Sequence, residues 1–193
     1  MPTTATPKRA AALPLEERRA AIVKAVIPLL SEHGERVTTK QIAEAAGIAE
    51  GTIFRAFADK DELLHAALDA ALDQAPFEQA LSQIDQTQSF EQQLIAATEL
   101  IQRRVVEVWT ILSHLGPAAR SHADRPMTDS GALAAIFESE RDRLRFEPTA
   151  AARMLRALTL SLTHPMLAGE PVSSAEIVAV VLRGIEASGE RAP

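Results

Sequence analysis

Residues 37–64 read VTTKQIAEAAGIAEGTIFRAFADKDELL. Thr38 and Thr39 offer hydroxyls that can accept from the free amides of a helix start. Ile42, Ala43 and Ala46 follow at helical spacing and give that helix one apolar face. Gly47 stands where a helix ending needs a residue that tolerates positive φ. Ile48 returns the chain to the core. A second helix is expected from about Glu50 to Ala56, with Ile53 and Phe57 facing inward. Asp59 caps a third, and Glu62 three residues on completes a capping-box pattern.

Two short helices joined by a tight turn make a helix-turn-helix. The outer face of the second carries Ala49, Glu50, Gly51, Thr52 and Arg55. A helix that lies in a major groove needs such a face, because bulk there would hold it away from the base edges. An ordinary helical hairpin with a solvated outer face has the same skeleton.

Three segments then carry a resemblance: TTKQIAEAAGI (38–48), EGTIFRAF (50–57) and DKDELL (59–64). Their order and spacing are similar to the DNA-binding domain of the TetR/AcrR family of bacterial transcriptional regulators. The resemblance covers roughly residues 15–70 and leaves the remaining two-thirds uncovered. It implies an all-α fold, with an N-terminal three-helix helix-turn-helix domain and a C-terminal helical domain for ligand binding and dimerisation. It also implies a homodimer on a palindromic double-stranded operator, usually a repressor, released by a small-molecule effector.

Composition is compatible with that reading. Apolar residues make up 47% of 193, Tyr and Cys are absent, and Ala and Leu abound. Such a chain favours helices over strands and can bury a real core. Without cysteine there is no disulfide, thiolate metal site or thiol nucleophile. No apolar run reaches the length of a membrane span. Residues 1–14 lack the apolar centre of a signal peptide. A soluble, cytoplasmic chain with no membrane partner is expected.

The net charge of −6 is unevenly divided. Residues 1–70 hold nine Lys/Arg and ten Asp/Glu, whereas residues 71–193 hold 11 and 16. The acidity therefore lies mostly outside the reading head. A local basic patch can bind phosphate under a negative total.

Outward from the quoted stretch, residues 1–13 read as a disordered arm carrying Lys8 and Arg9. Pro14 suits the first turn of a helix running to about His33, with Pro28 expected to kink it. The helix-turn-helix domain is assigned to 14–58, a connecting helix to 59–74, and the second domain to 75–193. In that domain Pro76 stops the connecting helix, and 77–88 make at most a short helix and a loop. Helices are expected at Phe90 to about Leu115, Gly131 to Phe146 and Pro148 to about Thr163. A last one, capped by Ser173 or Ser174, carries Ile177, Val178, Val181, Leu182 and Ile185 on one side. Residues 117–130 read as a mobile loop.

Candidate DNA-contacting residues are Thr39, Lys40, Glu50, Gly51, Thr52, Phe54, Arg55 and Lys60. A carboxylate such as Glu50 can accept from a cytosine amino group, and Thr52 can meet a base or a thymine methyl. Glu50 also suits the positive end of a helix dipole. Arg55 can reach guanine or phosphate. Lys40, Lys60 and the Thr39 hydroxyl are assigned to phosphates, and Gly51 to close approach. Phe54 stands where many relatives of the family carry Tyr, so it lacks a hydroxyl for phosphate.

The effector site is assigned to residues 90–163, with Trp109, Leu112, Phe137, Met154 and Leu158 as apolar lining. Thr110 or His114 would be polar handles. Plain core packing explains the same residues. The resemblance implies that the final helix pair builds the dimer, through Leu155, Leu162, Ile177, Val178, Val181, Leu182 and Ile185. His122 and Asp124 have no third ligand at a supporting spacing, so no metal, cofactor or enzymatic activity is expected. A helical adaptor, or less readily a metal-dependent enzyme, is the alternative.

Overall fold

The computed structural model describes residues 14–114 and 128–185, and every regular element among them is helical. The chain divides into two compact units, residues 1–70 and 71–193. The N-terminal arm, residues 117–127 of the expected loop, and the His122–Asp124 pair lie outside the described residues. No helix among the described residues is long and apolar enough to cross a membrane.

The first unit is built on α1 (Leu15–His33). Ile22, Val26 and Leu30 recur every four residues and are fully buried. Pro14 is the cap rather than a member of the first turn. Pro28 sits inside α1, which continues through it to His33. Gly34 ends the helix with φ 57° and its amide on the Leu30 carbonyl. A short 3-10 turn, Gly34–Arg36, then delivers Val37 to the core.

Next come α2 (Thr39–Ala46), α3 (Glu50–Ile53) and α4 (Lys60–Leu72). α1 packs on α2, and α2 on α3. Ile42, Ala43, Ile53, Ala56, Phe57, Leu63, Ala67 and Leu68 complete the buried set. α4 stops two residues short of the expected Gln74 and passes through the boundary at residues 70/71.

The second unit contains α5 (Ala75–Ser82), α6 (Phe90–Ser113), α7 (Gly131–Glu138), α8 (Pro148–Thr163) and α9 (Ser174–Ile185). Pro76 does more than stop α4. It occupies the first turn of α5, where its missing amide costs nothing. Ser89 and Gln92 form a full capping box on α6. Ser173 and Glu176 exchange the same pair of bonds at the start of α9.

α7 is half the expected length. It ends at Glu138, and Arg141–Arg143 form a separate 3-10 turn. The Ser139 hydroxyl donates to the Ile136 carbonyl, a local bond that competes with helix propagation. Arg141 pairs with Glu138 and Glu147, and Arg143 with Glu140. The Arg145 amide donates to the Ile185 carbonyl at 2.7 Å, tying this turn to the end of α9.

The core joins Leu81, Leu94, Ile101, Leu133, Phe137, Ala151, Leu155, Ile177, Val178, Val181 and Ile185. Buried Thr98 and Thr159 donate to the carbonyls of Leu94 and Leu155, so neither hydroxyl is orphaned. Leu155, Ile177, Val178, Val181 and Ile185 are thereby corrected. Each is at most 5% exposed inside the protomer, so none is available to a second copy. Their helical spacing is that of a core face, and spacing alone does not tell which neighbour covers it. Leu162 and Leu182 are half-buried and pack against the same core.

Candidate DNA-binding site

The start of α2 is fixed by a capping box. The Thr38 hydroxyl accepts from the Gln41 amide, and the Gln41 side chain accepts from the Thr38 amide. Capping therefore falls to Thr38 and leaves the hydroxyl of Thr39 for another partner. Gly47 ends α2 in the left-handed region, φ 66° and ψ 33°, with its amide on the Ala43 and Glu44 carbonyls. The Ile48 amide also reaches the Ala43 carbonyl, at 3.0 Å. These bonds satisfy the last carbonyls of α2 and set the turn.

α3 is shorter than the expected Glu50–Ala56. Its α-helical bonds cover Glu50–Ile53, and residues 54–56 continue as turns. The Arg55 amide donates to the Thr52 carbonyl at 3.3 Å and the Ala56 amide to the Ile53 carbonyl at 2.9 Å. Gly51, Thr52, Ile53 and Phe54 are all modest helix formers, so the last turn tightens.

Ile53 anchors α3 with no exposure, and the other side faces out. Glu50, Gly51, Phe54 and Arg55 are exposed, as is Lys40; Thr39, Thr52 and Lys60 are half-buried. All eight residues assigned to DNA thus reach the surface of one small unit. A Cβ on Gly51 would meet nothing within 4 Å, so Gly51 is required by no internal neighbour. Phe54 is 51% exposed, unusual for a side chain of its size.

Three of these groups already have partners. The Thr39 hydroxyl donates to a Glu50 carboxylate oxygen, bridging α2 to α3. The Lys60 ammonium donates to the Glu35 carbonyl at 2.7 Å, closing α4 onto the turn after α1. Lys60 must release that carbonyl, or share itself, to hold a phosphate.

The far end of α3 is held by a residue that sequence reasoning missed. The Arg19 guanidinium donates to the Ala56 carbonyl and to Glu62, at 2.8 Å for the latter. It also lies over the Phe57 ring, 4.1 Å from its centre. Glu62 accepts from the Ala58 amide rather than from Asp59, and Asp59 accepts from the Glu62 amide. The expected capping box is thus displaced by one residue. The Ala58 amide, then Arg19, hold the Glu62 carboxyl below its ordinary value. A signal existed: residue 19 extends the buried 22/26/30 stripe by one turn, an odd place for an arginine without a partner.

The residues assigned to an effector site do not converge. Phe137 is fully buried, edge-on to Phe90 with ring centres 5.6 Å apart. Met154 is 41% exposed, and His114 is exposed at the end of α6 with Nδ1 2.7 Å from the Thr110 carbonyl. Trp109 instead packs on His164, ring centres 4.4 Å apart. Trp109, Leu112 and Leu158 are half-buried.

A pocket of about 180 Å³ lies elsewhere, between Ser130, Leu133 and the outer side of α8 at Thr149, Ala152, Arg153, Arg156 and Ala157. Arg153 grips Asp129 through two bonds, at 3.0 and 2.7 Å, and holds its carboxyl below the usual range. Arg156 donates to the Thr128 carbonyl at 2.7 Å. None of the seven expected residues lines this pocket. Among the described residues no group of three His, Cys, Asp or Glu side chains is arranged to hold a metal.

Residues 22–67 match the family model of bacterial regulatory proteins, tetR family. The nucleoid occlusion factor SlmA of Actinobacillus pleuropneumoniae is 36% identical over 70 residues, covering 35% of this chain and 33% of that protein. The HTH-type transcriptional regulator HbdR of an Aromatoleum species is 43% identical over 60 residues, 31% of this chain and 26% of that one. The chain thus spans about a third or less of these relatives' lengths.

Solved structures extend the likeness to the whole fold. A TetR-family regulator from Mesorhizobium loti superposes with a TM-score of 0.58 at 16% identity, over 91% of this chain and 100% of the other. One from Haemophilus influenzae gives 0.56 at 18%, over 89% and 98%. SmeT, solved in complex with triclosan, gives 0.52 at 19%, over 90% and 93%. Residues 22–67 carry the sequence signal of the tetR family of bacterial regulatory proteins, and the remaining helices share the architecture of these solved TetR-family structures.

Proposed function

We propose that this chain is a cytoplasmic transcriptional repressor that reads a palindromic operator as a homodimer and is released by a small apolar effector. One observation carries the DNA reading: α3 is anchored by buried Ile53, while Gly51, Thr52 and Arg55 turn outward. Small residues beside one long cation suit a groove better than a packing surface. A single head makes few contacts, so two must act together, with half-sites about 34–36 Å apart or a multiple of it.

The second copy would dock on the outer sides of α8 and α9. Met154 and Val180 are exposed there, flanked by exposed Ala157, Ser161, Ala175 and Gly184. Small side chains let helices of two protomers approach closely. These replace the core residues first assigned to the interface. SmeT's complex with triclosan supports a small apolar effector by analogy. The pocket of about 180 Å³ is smaller than the roughly 300 Å³ at which such sites begin, so an effector bound there would have to enlarge it. An effector that binds the enlarged form better shifts the population away from DNA, with α4 as the connecting element.

The test is a gel shift with DNA from upstream of the chain's own gene. Sequence-dependent retardation is expected. Arg55→Ala should weaken it and reduce the salt slope by about one unit. Lys60→Ala should weaken it less, since the Glu35 carbonyl competes for that ammonium. An absence of sequence-dependent retardation would favour a helical adaptor.

A further inference from the structure

The bond between Thr39 and Glu50 joins two residues that DNA recognition would use separately. Thr39 opens α2 and Glu50 opens α3, eleven residues later, and the Thr39 hydroxyl donates to the Glu50 carboxylate. The hydroxyl is not needed as a cap, because Thr38 performs that role. Glu50 is exposed and Thr39 half-buried, so the pair lies at the surface that carries Thr52 and Arg55.

An ionised carboxylate only accepts hydrogen bonds. A phosphate oxygen also only accepts. The Thr39 hydroxyl has a single proton, so it can serve Glu50 or a phosphate, not both. Turning that proton to DNA strips Glu50 of a donor just as it enters a strongly negative surface. The loss is made good only where the duplex presents a donor to Glu50. In the major groove the donors are the amino groups of cytosine and adenine; guanine and thymine present acceptors there.

We infer that Glu50 makes the phosphate contact of Thr39 conditional on the base, so that this pair is a specificity-determining exchange. Opposite an amino-bearing base, Glu50 swaps the threonine proton for the base proton, and Thr39 is released to the backbone. Opposite a keto edge, Glu50 keeps Thr39 and the phosphate goes without its donor. Discrimination then comes from two bonds that form or fail together. The inference rests on the DNA-binding reading given above.

A double-mutant cycle tests it. Probes are a duplex selected by the wild-type protein from a random pool, and a scrambled duplex of the same composition. If the wild-type protein selects no sequence, the DNA reading itself fails. If it does, Thr39→Val should lower affinity for the selected duplex about tenfold and leave the scrambled duplex unchanged, because there the hydroxyl is already engaged. In a Glu50→Ala background the hydroxyl is free, and Thr39→Val should now weaken the scrambled duplex as well. Glu50→Ala also acts by itself, losing the base bond on the selected duplex and relieving phosphate repulsion on both, but this cancels within each cycle. Equal losses on both duplexes in the wild-type background, or additive effects on both, would overturn the exchange. Circular dichroism melting of each variant separates these outcomes from unfolding.

Discussion

In residues 14–70 the short polar side chains sit at helix ends, and the assigned functional residues stay at the surface. Thr38 caps, Gly47 turns, and Glu50, Thr52 and Arg55 face out. In residues 71–185 the apolar residues first assigned to ligand and partner mostly disappear inward. Phe137, Leu155, Ile177 and Val178 have no exposure at all. A polar residue at fixed spacing announces a geometric task. An apolar residue announces burial, and the same stripe fits a core, a pocket or a dimer. Function is therefore written more openly in the first unit than in the second.

The largest expected effect tests the second half of that contrast. Leu155→Ala should cost about 2–5 kcal/mol, because a fully buried leucine leaves a cavity among α6, α8 and α9. Denaturant unfolding measures it. Were Leu155 an interface residue, the variant would instead give stable monomers in sedimentation. A smaller effect tests the first half. Gly47→Ala should cost about 1 kcal/mol in thermal unfolding of the reading head. No atom crowds the new methyl, so the loss reflects the left-handed backbone alone.

The smallest effect concerns acid. The folded Glu62 carboxyl titrates below its ordinary value of 4.5. The unfolded state therefore takes up its proton first as pH falls, and the stabilisation is full above 4.5 and lost on passing through the depressed value. Glu62→Gln should lower stability near neutrality and flatten the acid-side decline. An unchanged profile would mean that Arg19 and Ala58 do not hold the carboxylate in solution.

The legibility of each element follows its end signals. α8 runs from Pro148 to Thr163, as the proline and the His164-Pro165 break indicate. α7 was overextended because residues 139–146 contain neither glycine nor proline. Ion pairs and a serine back-bond end it instead, and such contacts have no fixed spacing. α5 was nearly missed because Pro76 reads equally as a stop and a start. In the reading head every surface candidate was legible. The Thr39–Glu50 bond was not, nor the Lys60–Glu35 bond, since both depend on how the turn brings neighbours together. Arg19 lay 37 residues from the carbonyl it holds.

That last distance bears on how the head can be transplanted. The segment from Val37 to Leu64 looks self-sufficient, with its own caps and turn. Yet the carbonyl of Ala56, the ring of Phe57 and the carboxylate of Glu62 are all completed by one guanidinium on α1. A chimera that grafts only the motif onto another scaffold inherits an unfinished hinge; the smallest portable cassette must begin upstream of residue 19.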